Sequence, residues 1–281
     1  MKMHLILQGP LDQLAHIGAI ADPARAFTIG AHAMRFEDVE AGERVRAAVS
    51  LAAFPAGVDA TFIAAGRTLA DFKLVAMDMD STLITIECID EIADMQGLKT
   101  QVSEITEAAM RGELDFGASL TKRVALLEGL DASALERVYD ERLRLSPGAE
   151  TMLAGVKAAG LKTLLVSGGF TFFTERLQQR LGLDYAHANV LEVREGKLTG
   201  KVLGGIVDAL EKKHTVERVC AELGITPQQA IVMGDGANDL QMMAIAGLSV
   251  AFRAKPVVRA HASVALNFSG LDALLTILPE S

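Results

Sequence analysis

Lys73-Leu-Val-Ala-Met-Asp78-Met-Asp80-Ser-Thr82-Leu is the stretch on which the reading of this chain turns. After Lys73 stand four apolar residues in a row, too few for a helix and without the alternation of a strand that faces water on one side. They read as a strand buried on both faces. Such a strand belongs inside a parallel sheet, and Asp78 and Asp80 then emerge together at its C-terminal edge, facing one crevice. Taken alone, the turn is equally a solvated loop or a helix cap, roles that Asp and Ser often fill.

Moving outward, the same pattern recurs at 162–166, 230–233 and 248–252, each a short apolar run bounded by turn residues. Helical segments alternate with these runs at 148–159, 171–181, 208–223 and 239–246, closed by Gly160, Gly182, Gly224 and Gly247. The expectation is an α/β fold with a doubly wound, mainly parallel sheet. Residues 88–146 interrupt it with about four helical segments and no strand, one of them opened by the capping-box pattern Ser133-Ala-Leu-Glu136. Inserted directly after the first strand, they should form a helical cap over its C-terminal end. Residues 190–202 alternate around Arg194-Glu-Gly-Lys197 and read as a hairpin. Upstream, strands at 3–7, 27–33 and 61–64 alternate with helices after Pro10 and at 43–54, a small βαβαβ unit of the α+β kind. The polar stretch 66–71 marks its end, so we expect domains at 1–70 and 71–281.

Composition narrows the function classes. The 281 residues are 50% hydrophobic and 22% charged, which excludes disorder and fibrous repetition. A net charge of −9 makes nucleic acid and anionic membranes poor partners. Cys88 and Cys220 are far apart and fit a reducing, cytoplasmic setting. The six histidines are scattered without metal-ligand spacing. The start carries too short an apolar run for a secretory signal, and the most apolar long stretch, 47–66, is broken by Ser50, Pro55 and Asp59.

The loop after the run at 230–233 is Gly234-Asp235-Gly-Ala-Asn238-Asp239. In a parallel sheet its carboxylates join Asp78 and Asp80 at one edge, and four such groups repel unless a cation lies among them. Hard oxygen donors select magnesium. Between these loops, Ser167-Gly168-Gly169 ends a strand before a helix and can offer backbone N–H groups to an anion. Carboxylates, a cation and anion donors in one crevice suit phosphoryl transfer.

At these residues the chain resembles the haloacid dehalogenase-like superfamily of aspartate-nucleophile hydrolases, whose pattern is DxDx(T/V), a Ser/Thr loop, a lysine and GDxxxD. All occur here in order: Asp78 to Thr82, Ser167, Lys212, and Asp235 to Asp239. The resemblance runs from about Lys73 to the C-terminus. Within the superfamily, MDMDSTLI, ECIDEIAD (87–94), DFGASLTKRVALLEGL (115–130), SGGF, KVLGGIVDA (201–209), GDGANDLQMM and AKPVVRAHA are similar to the phosphoserine phosphatase family. Gln241 departs from that family's usual proline.

The resemblance implies Asp78 as nucleophile and Asp80 as general acid and base. It implies Mg2+ held by the Asp78 carboxylate, the Asp80 backbone carbonyl and Asp235, with Asp239 a ligand or a partner behind the ligands. Ser167, the Gly168 amide, Lys212 and Asn238 would hold phosphate oxygens. In the cap, Glu87 would meet the substrate ammonium, Arg123 its carboxylate, and Met110 and Phe116 would line an apolar wall. The implied substrate is O-phosphoserine, at the end of serine biosynthesis. Alternatives are another small phosphomonoester, phosphotransfer to a hydroxyl acceptor, or an amino-acid-sensing protein with a vestigial catalytic domain. The N-terminal unit loosely resembles a degenerate ACT-like domain, with docking or homodimerisation as its plainest role.

Overall fold

A computed structural model describes residues 2–110 and 113–279, with the side chains of residues 109 and 110 left out. The N-terminal unit comprises β1 (Met3–Gln8), α1 (Leu11–Ala19), β2 (Arg25–Ile29), β3 (Ala33–Val39), α2 (Glu43–Ala53) and β4 (Asp59–Ala64). Its antiparallel sheet has the order β2-β3-β1-β4, the split βαββαβ arrangement. Where one strand is expected at 27–33 there are two, because Gly30 turns the chain at φ +58° between β2 and β3. The edge strand β2 is almost wholly exposed, so no burial pattern announced it.

The second unit holds β5 (Leu74–Met77), α3 (Cys88–Asp94), α4 (Lys99–Met110), α5 (Phe116–Ala125), α6 (Ser133–Arg137), α7 (Ala149–Ala158), β6 (Lys162–Phe170) and α8 (Thr171–Leu181). It continues with β7 (Tyr185–Arg194), β8 (Lys197–Leu203), α9 (Ala209–Glu222), β9 (Ala230–Gly234), α10 (Leu240–Ala244), β10 (Leu248–Phe252), α11 (Pro256–His261), β11 (Val264–Leu266) and α12 (Ala273–Ile277). The sheet order is β11-β10-β9-β5-β6-β7-β8, parallel except for the β7–β8 hairpin. β5 therefore lies between β9 and β6, which sets the three loops of interest side by side. Val75 and Met77 join one apolar core, Leu74 and Ala76 the other, as a strand buried on both faces requires.

The cap comprises α3 to α6. Ser133 does not cap its helix: it is already the first helical residue, and the Asp131 carboxylate accepts its N–H at 2.9 Å. The cap position is thus Ala132, and the side chain that serves the first turn is that of Asp131. Cap entry and exit are tied together, with Ser146 N–H donating to the Leu83 carbonyl at 2.9 Å and a bridge between Ile84 and Leu145. Gly247 is no left-handed helix stop. α10 ends at Ala244, and a Cβ on Gly247 would sit 1.8 Å from the Gln228 carbonyl oxygen.

The two units share a seam. Ile6 and Ile63 from the N-terminal sheet pack into the larger core with Leu69 and Phe72. The Asp59 carboxylate accepts the backbone N–H groups of Asn267 (2.7 Å), Phe268 (3.1 Å) and Ser269 (2.8 Å).

Candidate active site

Asp78 follows directly on β5 and is 5% exposed. Its Oδ1 accepts the Met79 N–H at 2.7 Å, and its Oδ2 lies 2.8 Å from Lys212 Nζ. Lys212 is fully buried on α9 and makes a second 2.8 Å contact with Asp239 Oδ1. Burial lowers the pKa of this lysine, but the Asp239 and Asp78 carboxylates outweigh that, raise it above its ordinary value and hold the lysine charged. Lys213, its neighbour, faces outward and pairs with Glu217.

Asp239 is committed on both oxygens, because Oδ2 accepts the N–H groups of Asp235 and Gly236, each at 3.1 Å. That folding back needs Gly234, where a Cβ would lie 2.3 Å from Asp239 Oδ2. Gly234→Ala is therefore expected to destabilise the fold by about 1–3 kcal/mol through overpacking, read as a lowered urea midpoint, and to cut activity by displacing Asp239. An unchanged midpoint would contradict this packing.

Thr82 is fully buried, and its hydroxyl donates to Asp235 Oδ1 at 3.3 Å. Carboxylate oxygens of Asp78, Asp235 and Asp239 all lie within 4.8 Å of one another, a grouping able to hold a cation. Their mutual cost is visible in Asp235, pushed up to about 7 by burial and then by the Asp239 charge. Burial and Asp239 also push Asp78 well above the usual carboxylate range, against the pull of Lys212. An oxygen-only donor set with no His or Cys fits a hard divalent ion such as magnesium.

Asp80 accepts the Cys88 N–H at 3.2 Å, which links this loop to the first cap helix. Burial, then the Glu87 charge, raise its pKa to about 7. Ser81 sits between the two aspartates and Thr82 in the left-handed region (φ +54°), and its hydroxyl donates to Glu87 Oε1 at 2.7 Å. Thr82 was named from sequence only as the last residue of the motif, without a role, and Ser81 was not singled out.

Ser167 is 1% exposed and stands within β6, which runs on to Phe170 before α8 begins. It does not cap the helix. Its Oγ accepts the Gly169 N–H at 2.8 Å, which leaves the hydroxyl proton to point elsewhere. The two glycines admit close neighbours: a Cβ on Gly168 would lie 2.7 Å from Phe116 Cζ, and one on Gly169 would lie 2.8 Å from Asp80 Oδ2. Phe116 of the cap thus covers the Ser167 loop, and Ser167 and Asp80 flank Gly169. Asn189, missed in the sequence, fixes this loop: its Nδ2 donates to the Gly168 carbonyl and its Oδ1 accepts Val207 N–H, both at 2.8 Å. The signal was there, a lone amide in the run Ala186-His-Ala-Asn189-Val.

Asn238 is half-buried in the turn before Asp239, against Gly236. Arg123, on α5, is half-buried, and its Nε is buried without a hydrogen-bond partner among the described residues. Burial lowers its pKa, while Asp90, Glu87 and Asp80 act in the opposite sense, so the guanidinium faces acidic neighbours across the crevice. The side chain of Met110 lies outside the described residues.

Known proteins bear on this geometry. Residues 72–247 match the family described as haloacid dehalogenase-like hydrolase. A phosphoserine phosphatase of Polaromonas sp. is 57% identical over 215 residues, 75% of this chain and 91% of the relative. Among solved structures, a haloacid dehalogenase-family hydrolase from Salmonella enterica serovar Typhi has a TM-score of 0.91 and 34% identity, covering 99% of both chains. A probable phosphoserine phosphatase from Vibrio cholerae has a TM-score of 0.83 and 37% identity, covering 99% of this chain and 86% of the other. The chain belongs to the haloacid dehalogenase-like hydrolases and, within them, to the phosphoserine phosphatases.

Proposed function

We propose that this chain hydrolyses O-phospho-L-serine to L-serine and phosphate, at the final step of serine biosynthesis in the cytoplasm. The observation that carries the substrate is that Glu87 and Arg123 lie within electrostatic reach of each other and of Asp80, with the buried Arg123 Nε lacking a partner among the described residues. An ammonium suits the carboxylate, and a carboxylate suits the planar guanidinium fork.

In this reading the Asp78 carboxylate attacks phosphorus in line, and the serine oxygen leaves with the proton of Asp80. The product is an aspartyl phosphate on Asp78. Asp80, now ionised, takes a proton from water, which attacks phosphorus and frees Asp78. A group with a pKa of about 7 serves both directions near neutral pH. The Ser167 hydroxyl, the Gly168 amide, Lys212 and Asn238 hold the phosphoryl oxygens. Asp78, Asp235 and the Asp80 carbonyl are the ligand set for Mg2+, and Asp239, committed on both oxygens, positions Lys212 and the 235–236 backbone. When bound, the ion supplies Lewis-acid polarisation of the phosphoryl group.

The test is phosphate release from L-phosphoserine, phosphothreonine, phosphoglycolate and a sugar phosphate, with magnesium and after chelation. Strong preference for L-phosphoserine, lost on chelation and restored by magnesium, is expected; a flat profile would sink the substrate. Arg123→Ala should lose about tenfold or more in kcat/KM on L-phosphoserine while largely keeping turnover of an aryl phosphate. Equal loss on both would point to a structural role. Ser81→Ala and Ser81→Gly should both raise KM for phosphoserine, since each removes the bond to Glu87. Rescue by glycine alone would assign the effect to backbone strain instead.

The domain division at about residue 70 and a homodimer through the N-terminal unit belong to the same proposal, the first supported by the two separate sheets and the second by the exposed edge strand β2. Free, buried Cys88 and Cys220 support the reducing compartment. No helix among the described residues is long and apolar enough to cross a membrane.

A further inference from the structure

β8 is the last strand of the catalytic sheet, and the cap takes up its outer edge. Gly129 N–H donates to the Leu198 carbonyl, Leu198 N–H to the Leu130 carbonyl and Ala132 N–H to the Gly196 carbonyl, each at 2.8 Å. Asp131 and Lys197 pair between them as an antiparallel bridge. The stretch that follows α5 is thus stitched to the sheet, a second backbone tie besides the one between Leu83 and Ser146.

A bulge brings β8 closer still. Leu191 pairs with Val202 and Val193 with Leu198, so Thr199, Gly200 and Lys201 stand opposite Glu192 alone. Thr199 Oγ1 holds the bulge by donating to Glu192 Oε2 at 2.7 Å. At its centre Gly200 is left-handed, with φ +74°. A Cβ there would lie 3.0 Å from Glu128 Cβ, 3.2 Å from the Ala125 carbonyl oxygen and 3.3 Å from Ala125 Cα. Two of these neighbours are backbone atoms at the end of α5, which no change of rotamer moves aside. Arg123 stands two residues earlier, in the last turn of the same helix. On its other side the hairpin is continuous with the phosphate end of the site, since β7 pairs with β6 at Asn189 and Phe170, just past the Ser167 loop.

We propose that Gly200 and the β8 edge are positioning elements for substrate choice: they fix the end of α5 against the sheet and so set where the Arg123 guanidinium meets the substrate's carboxylate. The inference rests on Arg123 being the carboxylate clamp. A guanidinium–carboxylate pair is planar and two-pronged, and it is demanding in distance and angle. Ser167, Lys212 and the aspartates lie on the sheet side of the tie and keep their geometry when it is disturbed. A phosphomonoester without a carboxylate is therefore indifferent to it.

The probes are L-phosphoserine and p-nitrophenyl phosphate, which has no carboxylate. In Gly200→Ala the helix end or the hairpin has to give by a few tenths of an ångström. At roughly a hundredfold per ångström of misplacement, kcat/KM for L-phosphoserine should fall about fivefold. Ala132→Pro, at a φ of −62° that suits proline, removes the N–H to the Gly196 carbonyl without crowding and should lower kcat/KM in the same direction. Turnover of p-nitrophenyl phosphate should stay within about twofold in both variants. Gly196→Ala is the control for backbone strain: φ there is also left-handed, +75°, but nothing lies within 4 Å of the added Cβ. It should lose stability and keep selectivity. Combined with Arg123→Ala, Gly200→Ala should cost nothing further on L-phosphoserine, because the two act through one contact. With selective loss in Arg123→Ala, the inference alone is overturned by proportional loss on both substrates in Gly200→Ala, by unchanged selectivity in both tie variants, by additive loss in the double variant, or by equal selectivity loss in Gly196→Ala. Equal loss on both substrates in Arg123→Ala would remove the clamp and the inference together.

Discussion

Asp78→Asn lowers turnover of O-phospho-L-serine by roughly four orders of magnitude or more, the scale seen when a covalent nucleophile is removed, and leaves the fold intact. The amide cannot attack phosphorus, and the change is nearly isosteric. Its effect on stability has a definite sign. Burial and the Asp239 charge both press Asp78 toward its neutral form, so a neutral amide relieves repulsion in the crevice. Lys212 keeps Asp239 as its partner at 2.8 Å. The urea midpoint should hold or rise while phosphate release disappears. Activity within a hundredfold of wild type would end the covalent mechanism.

Lys212→Met has the second largest effect, and it falls on stability as well as rate. Loss of one preorganised donor costs about 10²–10³ in kcat. Lys212 is also the fully buried cation between Asp78 and Asp239. Without it, and with no divalent ion bound, two carboxylates lie in the interior without their lysine partner, and breaking a buried pair in this way costs about 3–5 kcal/mol. Adding Asp239→Asn should recover part of the stability and none of the activity. A single variant as stable as wild type would mean that solvent reaches the pair.

Where the residues themselves carried the signal, the reading from sequence was close. β5 and β9 announce themselves because a strand buried on both faces needs an unbroken apolar run, and the glycines and aspartates that follow stop it sharply. Lys212 needed the family spacing, since a lysine pair on a helix looks like a solvated face until the fold buries one member. Glu87 and Arg123 also rested on resemblance, because nothing local distinguishes a crevice arginine from a surface one. β2 and β3 were merged because the exposed β2 carries no burial pattern to mark where it ends, and β11 was missed because three residues are too short to show one. Asn189 and the tie between β8 and the cap depend on contacts between distant segments. No window of sequence contains them.

The stitch between Leu83–Ile84 and Leu145–Ser146 has a consequence for how such a protein can change. Some sixty residues of cap leave and rejoin the scaffold across one isolated bridge and its flanking hydrogen bond, one step from the nucleophile loop. The sheet therefore carries a socket. A different insertion could be fastened at the same two points without moving Asp78, Lys212 or Asp235, so substrate choice can drift while the phosphoryl chemistry stays fixed.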